Sequence, residues 1–329
     1  MFESIVSTGV LPQHDHVREI VTEAYDRYRG DQRGEVADYI PALGRVDPEL
    51  FGVSVLGVGG DSFDLGDADH RFSIQSISKA FVFALVCQAI GHAPLREAIG
   101  VDNTGLPFNS VMAVELNGGR PGNPMVNAGA IATTALVPGS TPGEKWATIR
   151  EGLGRFAGRP LELDREVYES ESTTNQRNES LARLLESYGR LHVDPLEAVD
   201  VYTQQCSLLV DAHDLAVMGA TLANGGVNPV TEERVVDASV ARDTLAVLSA
   251  TGLYERSGDW LFEIGIPGKS GVSGGIVTIA PGKGALGTFA PRLDPAGNSV
   301  KGQRVAAHLS KSLGLDIFAS ASARASAGA

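Results

Sequence analysis

Strand-forming patterns in this chain lie near its two ends, while residues 127–226 between them carry little strand signal. The segment FGVSVLGV (51–58) is apolar and β-branched and predicts a strand. Residues 61–69 are turn-rich, and 70–74 predict a returning strand. Far along the chain, 275–279 and 285–289 predict two more strands, joined by the turn PGKG at 281–284. Apolar spacing and Gly/Pro punctuation predict helices over 12–28, 78–90, 128–137, 143–157, 177–189, 195–206 and 212–224. Two more are predicted near 239–251 and over 303–313. Strands from the two chain ends can join one antiparallel sheet, and the helical middle then forms a second lobe. The predicted class is therefore α/β (α+β), an antiparallel sheet flanked by helices with an all-helical second lobe. Residues 1–126 and 227–318 together would build the sheet lobe and 127–226 the helical lobe. The Ala/Ser-rich tail 319–329 has almost nothing to bury and is expected to be disordered. A cleft between lobes is a common place for a ligand.

Composition narrows the function classes. With 329 residues, 43% of them hydrophobic, the chain can bury a core without disulfide or metal staples. Acidic residues outnumber basic ones 40 to 27, for a net charge of −13, which excludes a uniform basic face for nucleic acid or anionic lipid. The two cysteines, Cys87 and Cys206, form no metal-binding spacing, and as free thiols they suit a reducing compartment. The first residues lack a basic stretch followed by an apolar run, and the longest strongly apolar stretch, 81–90, is too short to span a bilayer. The expectation is a cytoplasmic protein with neither nucleic acid nor membrane as a partner.

The chemistry concentrates in Ser76-Ile77-Ser78-Lys79, a Ser-x-x-Lys pattern where a strand gives way to a helix. A serine hydroxyl is a poor nucleophile until a base takes its proton. A lysine one turn on can be that base if burial lowers its pKa. Alone, the pattern also fits a helix-capping serine followed by a solvated lysine. Two features argue otherwise. The helix that follows is apolar nearly all round, so its lysine needs a partner or a task. Later in the chain comes Lys269-Ser270-Gly271, directly before a predicted strand. A Lys-Ser-Gly strand facing a Ser-x-x-Lys helix is the pairing of serine β-lactamases and penicillin-binding proteins. The middle motif of that superfamily, Ser-Asp-Asn or Tyr-x-Asn, does not occur here.

Five segments together, FSIQSISKAF (72–81), NPMVNAGAI (123–131), YTQQCS (202–207), GLYERSG (252–258) and GKSGVSGGI (268–276), resemble the serine-dependent glutaminases. The resemblance runs from about Tyr39 to Phe318 and implies a β-lactamase-like fold. By resemblance, Ser76 is the nucleophile and Lys79 its proton-transfer partner, with Tyr202 and Tyr254 the cleft tyrosines. Tyr39 would close over the substrate. Asn127, Glu171 and Asn178 would bind it, and the Val272 N–H would join that of Ser76 in the oxyanion hole. The resemblance also implies a homodimer or homotetramer and L-glutamine as substrate.

The chemistry of free glutamine agrees with those assignments. Glu171 can pair with the ammonium, and Asn127, Asn178 and Tyr39 can donate to the α-carboxylate. Ser76 can attack the δ-carbonyl, and no step needs a metal or an organic cofactor. Each residue also has an ordinary structural reading. Asn127 could cap a helix, Tyr202 and Tyr254 could be core tyrosines, and Glu171 could be one solvated acid beside Glu169 and Glu179. Whether Lys79, Tyr202 or Tyr254 is the general base is left open by the sequence.

Overall fold

The computed structural model describes residue 11 and residues 14–320. Pro12, expected to open the first helix, and residues 321–329 of the expected tail lie outside the described residues, as do the first ten. The main sheet joins both ends of the chain. Strands β1 (Gly52–Gly57) and β2 (Ser62–Gly66) come from the first part. After the short β3 (Phe72–Ser73), β4 (Glu162–Leu163) and β5 (Leu208–Val210), the strands β6 (Gly268–Ser270), β7 (Gly275–Ala280) and β8 (Gly284–Phe289) complete it. The order is β2-β1-β8-β7-β6, with every pairing antiparallel. The hairpin expected at 281–284 joins β7 to β8, with Val277 opposite Gly287.

Two expectations need correction. Residues 62–66 lie within the segment expected as turn, yet they form edge strand β2. Its side chains alternate between exposed and half-buried, so its Ser, Asp and Gly content hid a strand that needs few apolar residues. The returning strand expected at 70–74 shrinks to β3 and does not pair with β1. It pairs with β5, with Phe72 opposite Val210, in a separate three-stranded sheet β3-β5-β4. That small sheet also places two strands inside 127–226, where helices alone are expected.

Helices cover both faces of the main sheet. In chain order the helices of the fold begin with α1 (His14–Tyr28), α2 (Ser78–Ile90), α3 (His92–Ile99), α4 (Val111–Leu116), α5 (Asn127–Ala135) and α6 (Pro142–Ala157). There follow α7 (Arg165–Ser172), α8 (Gln176–Ser187), α9 (Pro195–Cys206), α10 (Ala212–Ala223), α11 (Ala238–Thr251), α12 (Ser257–Glu263) and α13 (Val300–Ser312). Side chains alternate across a strand, so β7 sends Ile276 to one face and Val277 and Ile279 to the other. Ile276 packs with Val21 of α1 and Val305 of α13, whereas Val277 and Ile279 pack with Leu215 and Met218 of α10. Helix α10 opens with a capping box in which Asp211 and Asp214 exchange side-chain and backbone hydrogen bonds.

Helix α2 is the central element. Every residue from Ser78 to Ala84 is buried. It touches α3, α5, α6 and α11, which explains a sequence with no polar face. Helices α7 and α12 escape a periodicity search because each is short and buries few side chains, Val167 in the first and Ser257 and Trp260 in the second. No described helix is long and apolar enough to cross a membrane.

The closest approach of α10 to the sheet uses two glycines. A Cβ on Gly219 would stand 2.6 Å from that of Ala285, and one on Gly287 would overlap the Ala212 carbonyl oxygen. Gly287→Ala is therefore expected to destabilise the protein by about 2–3 kcal/mol through overpacking. Urea denaturation reads the effect, and an unchanged midpoint would show that α10 is not seated on this strand.

Candidate active site

The Ser-x-x-Lys segment enters as β3, makes one 3-10 turn over Gln75–Ile77, and continues into α2. Ser76 thus lies in the turn, two residues ahead of the helix, and does not cap it. The turn is strained, because Gln75 has a φ of 52° although it is not a glycine. Such a conformation costs of order 1–3 kcal/mol and persists only where its surroundings fix it. Here the Gln75 amide donates to Ser73 Oγ at 3.1 Å and to Glu171 Oε1, and its carbonyl accepts from Ser78 Oγ at 2.8 Å. Ser76 is 8% exposed, and its side chain is hydrogen-bonded to Tyr254.

Lys79 follows in the first turn of α2 and is 1% exposed. Its ammonium donates to Met125 O at 3.1 Å and to Asn127 Oδ1 at 2.7 Å. No carboxylate pairs with it among the described residues. Burial lowers its pKa to about 8, so a substantial neutral fraction exists in mildly alkaline water. A second amine, Lys269 of β6, is fully buried. It donates to Ser270 O at 2.7 Å and lies 4.4 Å from the centre of the Tyr254 ring. Burial, and then the charge of Lys79, push its pKa well down.

The cleft tyrosines sit beside these amines. Tyr254 has a φ of 55°, so both residues next to the Ser76 hydroxyl and backbone, Tyr254 and Gln75, are in the left-handed region. Its hydroxyl donates to Ser270 O at 3.4 Å, and Phe108 packs on its ring at 4.7 Å. Burial raises its pKa to about 12. Tyr202 of α9 has its ring centre 5.8 Å from Lys79 Nζ. Burial raises its pKa strongly, and its hydroxyl is hydrogen-bonded to the Cys206 thiol. Tyr39, by contrast, lies in a loop and is 60% exposed. Partial desolvation of its hydroxyl, and then the charges of Tyr254 and Glu171, raise its pKa, and the next residue, Ile40, packs with Tyr254 and Val272.

The polar residues expected at the amino-acid end also converge. Glu171 ends α7 with its carboxyl turned inward to Gln75, whereas Glu169 is exposed. Desolvation raises the Glu171 pKa to about 7, with the Gln75 hydrogen bond opposing. Asn127 opens α5 but makes no capping bond, since Val126 holds the N-cap position. Its side chain joins Lys79 to Asn178 instead, donating to Asn178 Oδ1 at 2.9 Å. Val272 lies in the turn after β6. That turn is drawn onto the Ser76 segment by Gly271, where a Cβ would stand 3.0 Å from Ile74 O. Val272 is buried in an apolar cluster with Tyr254 and Ile40.

Ser76, Lys79, Tyr202, Tyr254, Asn127, Asn178 and Glu171 are therefore brought together, with the Val272 turn against the Ser76 segment and the Tyr39 loop beside Tyr254. Lys269 was visible in the Lys-Ser-Gly motif, but no sequence signal separates it from a strand-edge lysine. Gln75 and Cys206 lie inside the FSIQSISKAF and YTQQCS segments without being singled out by them, and Phe108 joins through tertiary packing alone.

A family model for glutaminases matches residues 34–318. The chain is 58% identical over 315 residues to Glutaminase 2 of Yersinia pestis, covering 96% of this chain and 93% of that one. Among solved structures, the probable glutaminase ybaS superposes with a TM-score of 0.93 at 44% identity, covering 94% of this chain and all of the other. Mglu in its glutamate form superposes with a TM-score of 0.88 at 38% identity, covering 94% of this chain and 72% of that one. The β-lactamase-like arrangement expected from the paired motifs is the fold these structures share. With sequence and fold matched from the Tyr39 segment to the last described turn, the chain belongs to the glutaminase family.

Proposed function

We propose that this chain hydrolyses L-glutamine to L-glutamate and ammonia through an acyl-enzyme on Ser76. The observation that carries the reading is the environment of that hydroxyl. Ser76 is hydrogen-bonded to Tyr254 and stands one helical turn from a buried amine with no carboxylate partner among the described residues, whose pKa is about 8. Glu171 pairs with the substrate ammonium, and Asn127, Asn178 and Tyr39 donate to its α-carboxylate. Ser76 attacks the δ-carbonyl as its proton passes to Lys79. Tyr202 and Tyr254 keep their phenolic protons, since burial raises both pKa values, so Lys79 is assigned as the base. The oxyanion rests on the N–H groups of Ser76 and Val272. The tetrahedral adduct collapses, the C–N bond breaks, and ammonia leaves with a proton returned through Tyr254. Water then attacks the ester carbonyl and releases glutamate. Lys269, its pKa pushed well down by burial, sits beside Tyr254 and Lys79 as an amine that favours its neutral form. We further assign the chain to the cytoplasm, in keeping with its two buried free thiols. Self-association as a homodimer or homotetramer accords with the exposed apolar side chains of Met112 and Leu116 on α4.

Ammonia release from L-glutamine, measured beside Ser76→Ala, tests the reaction and its nucleophile together. The substitution is expected to cost at least about 10³-fold in kcat. Comparable turnover by the variant would rule out the acyl-enzyme.

The pH dependence follows from two shifted groups. Glu171 is ionised above about 7, and Lys79 is neutral above about 8. Because kcat/KM reports the free enzyme, it should climb between about pH 6 and 9 with both inflections. A flat profile over that range would remove both groups from the mechanism.

Glu171 also sets a stability cost. Its folded pKa of about 7 lies above the ordinary 4.5, so the folded state binds the proton more tightly. Wild-type stability therefore falls as pH rises from about 4.5 to 7. Glu171→Gln is expected to lose turnover and yet melt higher than wild type at pH 8, with the gain shrinking toward pH 5. A variant less stable than wild type at pH 8 would contradict the buried-carboxylate assignment.

A further inference from the structure

Behind the cleft, five side chains from four helices and one inter-helix position form a single directed hydrogen-bond chain. Lys79 Nζ donates to Asn127 Oδ1 at 2.7 Å, and Asn127 Nδ2 donates to Asn178 Oδ1 at 2.9 Å. Asn178 Nδ2 donates to Asn175 Oδ1 at 3.1 Å, and Asn175 Nδ2 donates to Thr203 Oγ1 at 2.7 Å. The Thr203 hydroxyl in turn gives its one proton to Val199 O at 2.8 Å.

Both ends of the chain fix its direction. A protonated lysine can only donate. At the other end, Thr203 has already committed its proton and can only accept. Each of the three amides must then turn its oxygen toward Lys79 and its nitrogen toward Thr203. A flip of Asn178 alone would set nitrogen against the Asn127 nitrogen and oxygen against the Asn175 oxygen. Two like polar pairs facing each other in a largely buried site would each lose a hydrogen bond and leave a group unsatisfied.

Asn175 holds a position where a different bond is usual. It stands at the N-cap of α8, yet its side chain makes no capping hydrogen bond. Its amide is committed to Asn178 and Thr203, and both Asn175 and Thr203 are buried. An amide nitrogen carries two protons, and the chain uses one from each. Asn127 and Asn178, both half-buried, each retain a second N–H for a ligand.

We propose that Asn175 and Thr203 are positioning residues, which hold the Asn178 amide with an N–H presented to the α-carboxylate of the substrate; this rests on the glutaminase reading of the cleft. Neither residue is assigned a contact with substrate. Their effect passes through Asn178, and it strengthens ground state and transition state alike, because the α-carboxylate does not change during the reaction. Such uniform binding belongs in KM and not in kcat.

The test is the steady-state kinetics of Asn175→Ala, Thr203→Val and Thr203→Ser on L-glutamine, with melting temperatures for each. Asn175→Ala and Thr203→Val are expected to raise KM at least about fivefold while kcat stays within about twofold. Thr203→Ser keeps the accepting oxygen and is expected to restore KM to near the wild-type value. A purely structural role would lower the melting temperature and the active fraction while leaving KM in place, and that pattern overturns the proposal. Should Asn175→Ala fail to fold, the comparison of Thr203→Val with Thr203→Ser decides alone, and equal KM values in that pair count against the relay. An inactive wild type would overturn the reading of the site itself, and the positioning role with it. An active wild type beside variants of unchanged KM would overturn only the positioning role.

Discussion

Two amines, Lys79 and Lys269, are buried in one cleft, and no carboxylate is paired with either among the described residues. The surrounding architecture is arranged to make that arrangement tolerable. Carbonyl oxygens of Met125 and Ser270, the Asn127 amide and the Tyr254 ring take the place of counter-ions. These groups stabilise a proton less than a carboxylate would, so both amines sit below the ordinary lysine range. A carboxylate at bonding distance would have held Lys79 protonated over a wider pH range. The buried carboxyl of Glu171 is instead engaged by Gln75. Sequence order serves the same end. Lys79 lies in the first turn of the largely buried helix α2, and Lys269 lies on strand β6.

Strain gathers at the same place. Of the three non-glycine residues with positive φ among those described, Gln75 and Tyr254 flank Ser76, and only Glu232 lies elsewhere. The small sheet β3-β5-β4 holds one side of the strained turn, where Ile74 N–H donates to Leu208 O at 2.8 Å. The Gly271 turn holds the other. Regular helices and strands on both sides therefore fix an irregular backbone between them, which is how the Ser76 hydroxyl is kept out of an ordinary helix cap.

Much of this was legible in the sequence, and the gaps have a common cause. The β7–β8 hairpin and helices α2, α6, α9 and α11 announce themselves by local pattern, and the structure reproduces them within a few residues. Partner choice is not local. The Phe72 segment carries a strand pattern whether it meets β1 or the distant Val210, and only tertiary packing decides. Helix α7 hides because its sequence REVYESES buries one apolar side chain, Val167, so Glu171 reads as one acid in a polar run. What singles it out is the Gln75 amide brought to it from another element. Similarly, Asn175 and Thr203 look like a helix-capping residue and a mid-helix hydroxyl. Their directionality exists only once Asn178 and Asn127 lie between them and Lys79.

The state of Glu171 bears on selectivity as well as rate. In the free protein its carboxyl is desolvated without a cationic partner, and its raised pKa records that cost. On the glutaminase reading, a ligand with a free α-ammonium supplies the missing charge and recovers the cost on binding. An amide side chain whose α-nitrogen is tied up in a peptide bond brings no such charge. It would leave either a bare carboxylate or a proton to be taken up, and would also set a neutral N–H where a full charge is wanted. Discrimination against glutamine within a protein chain then needs no steric gate. On that reading it follows from a carboxylate kept partly out of water until the correct ammonium arrives, while the amide chain behind Asn178 would hold the donors for the other end of the same amino acid.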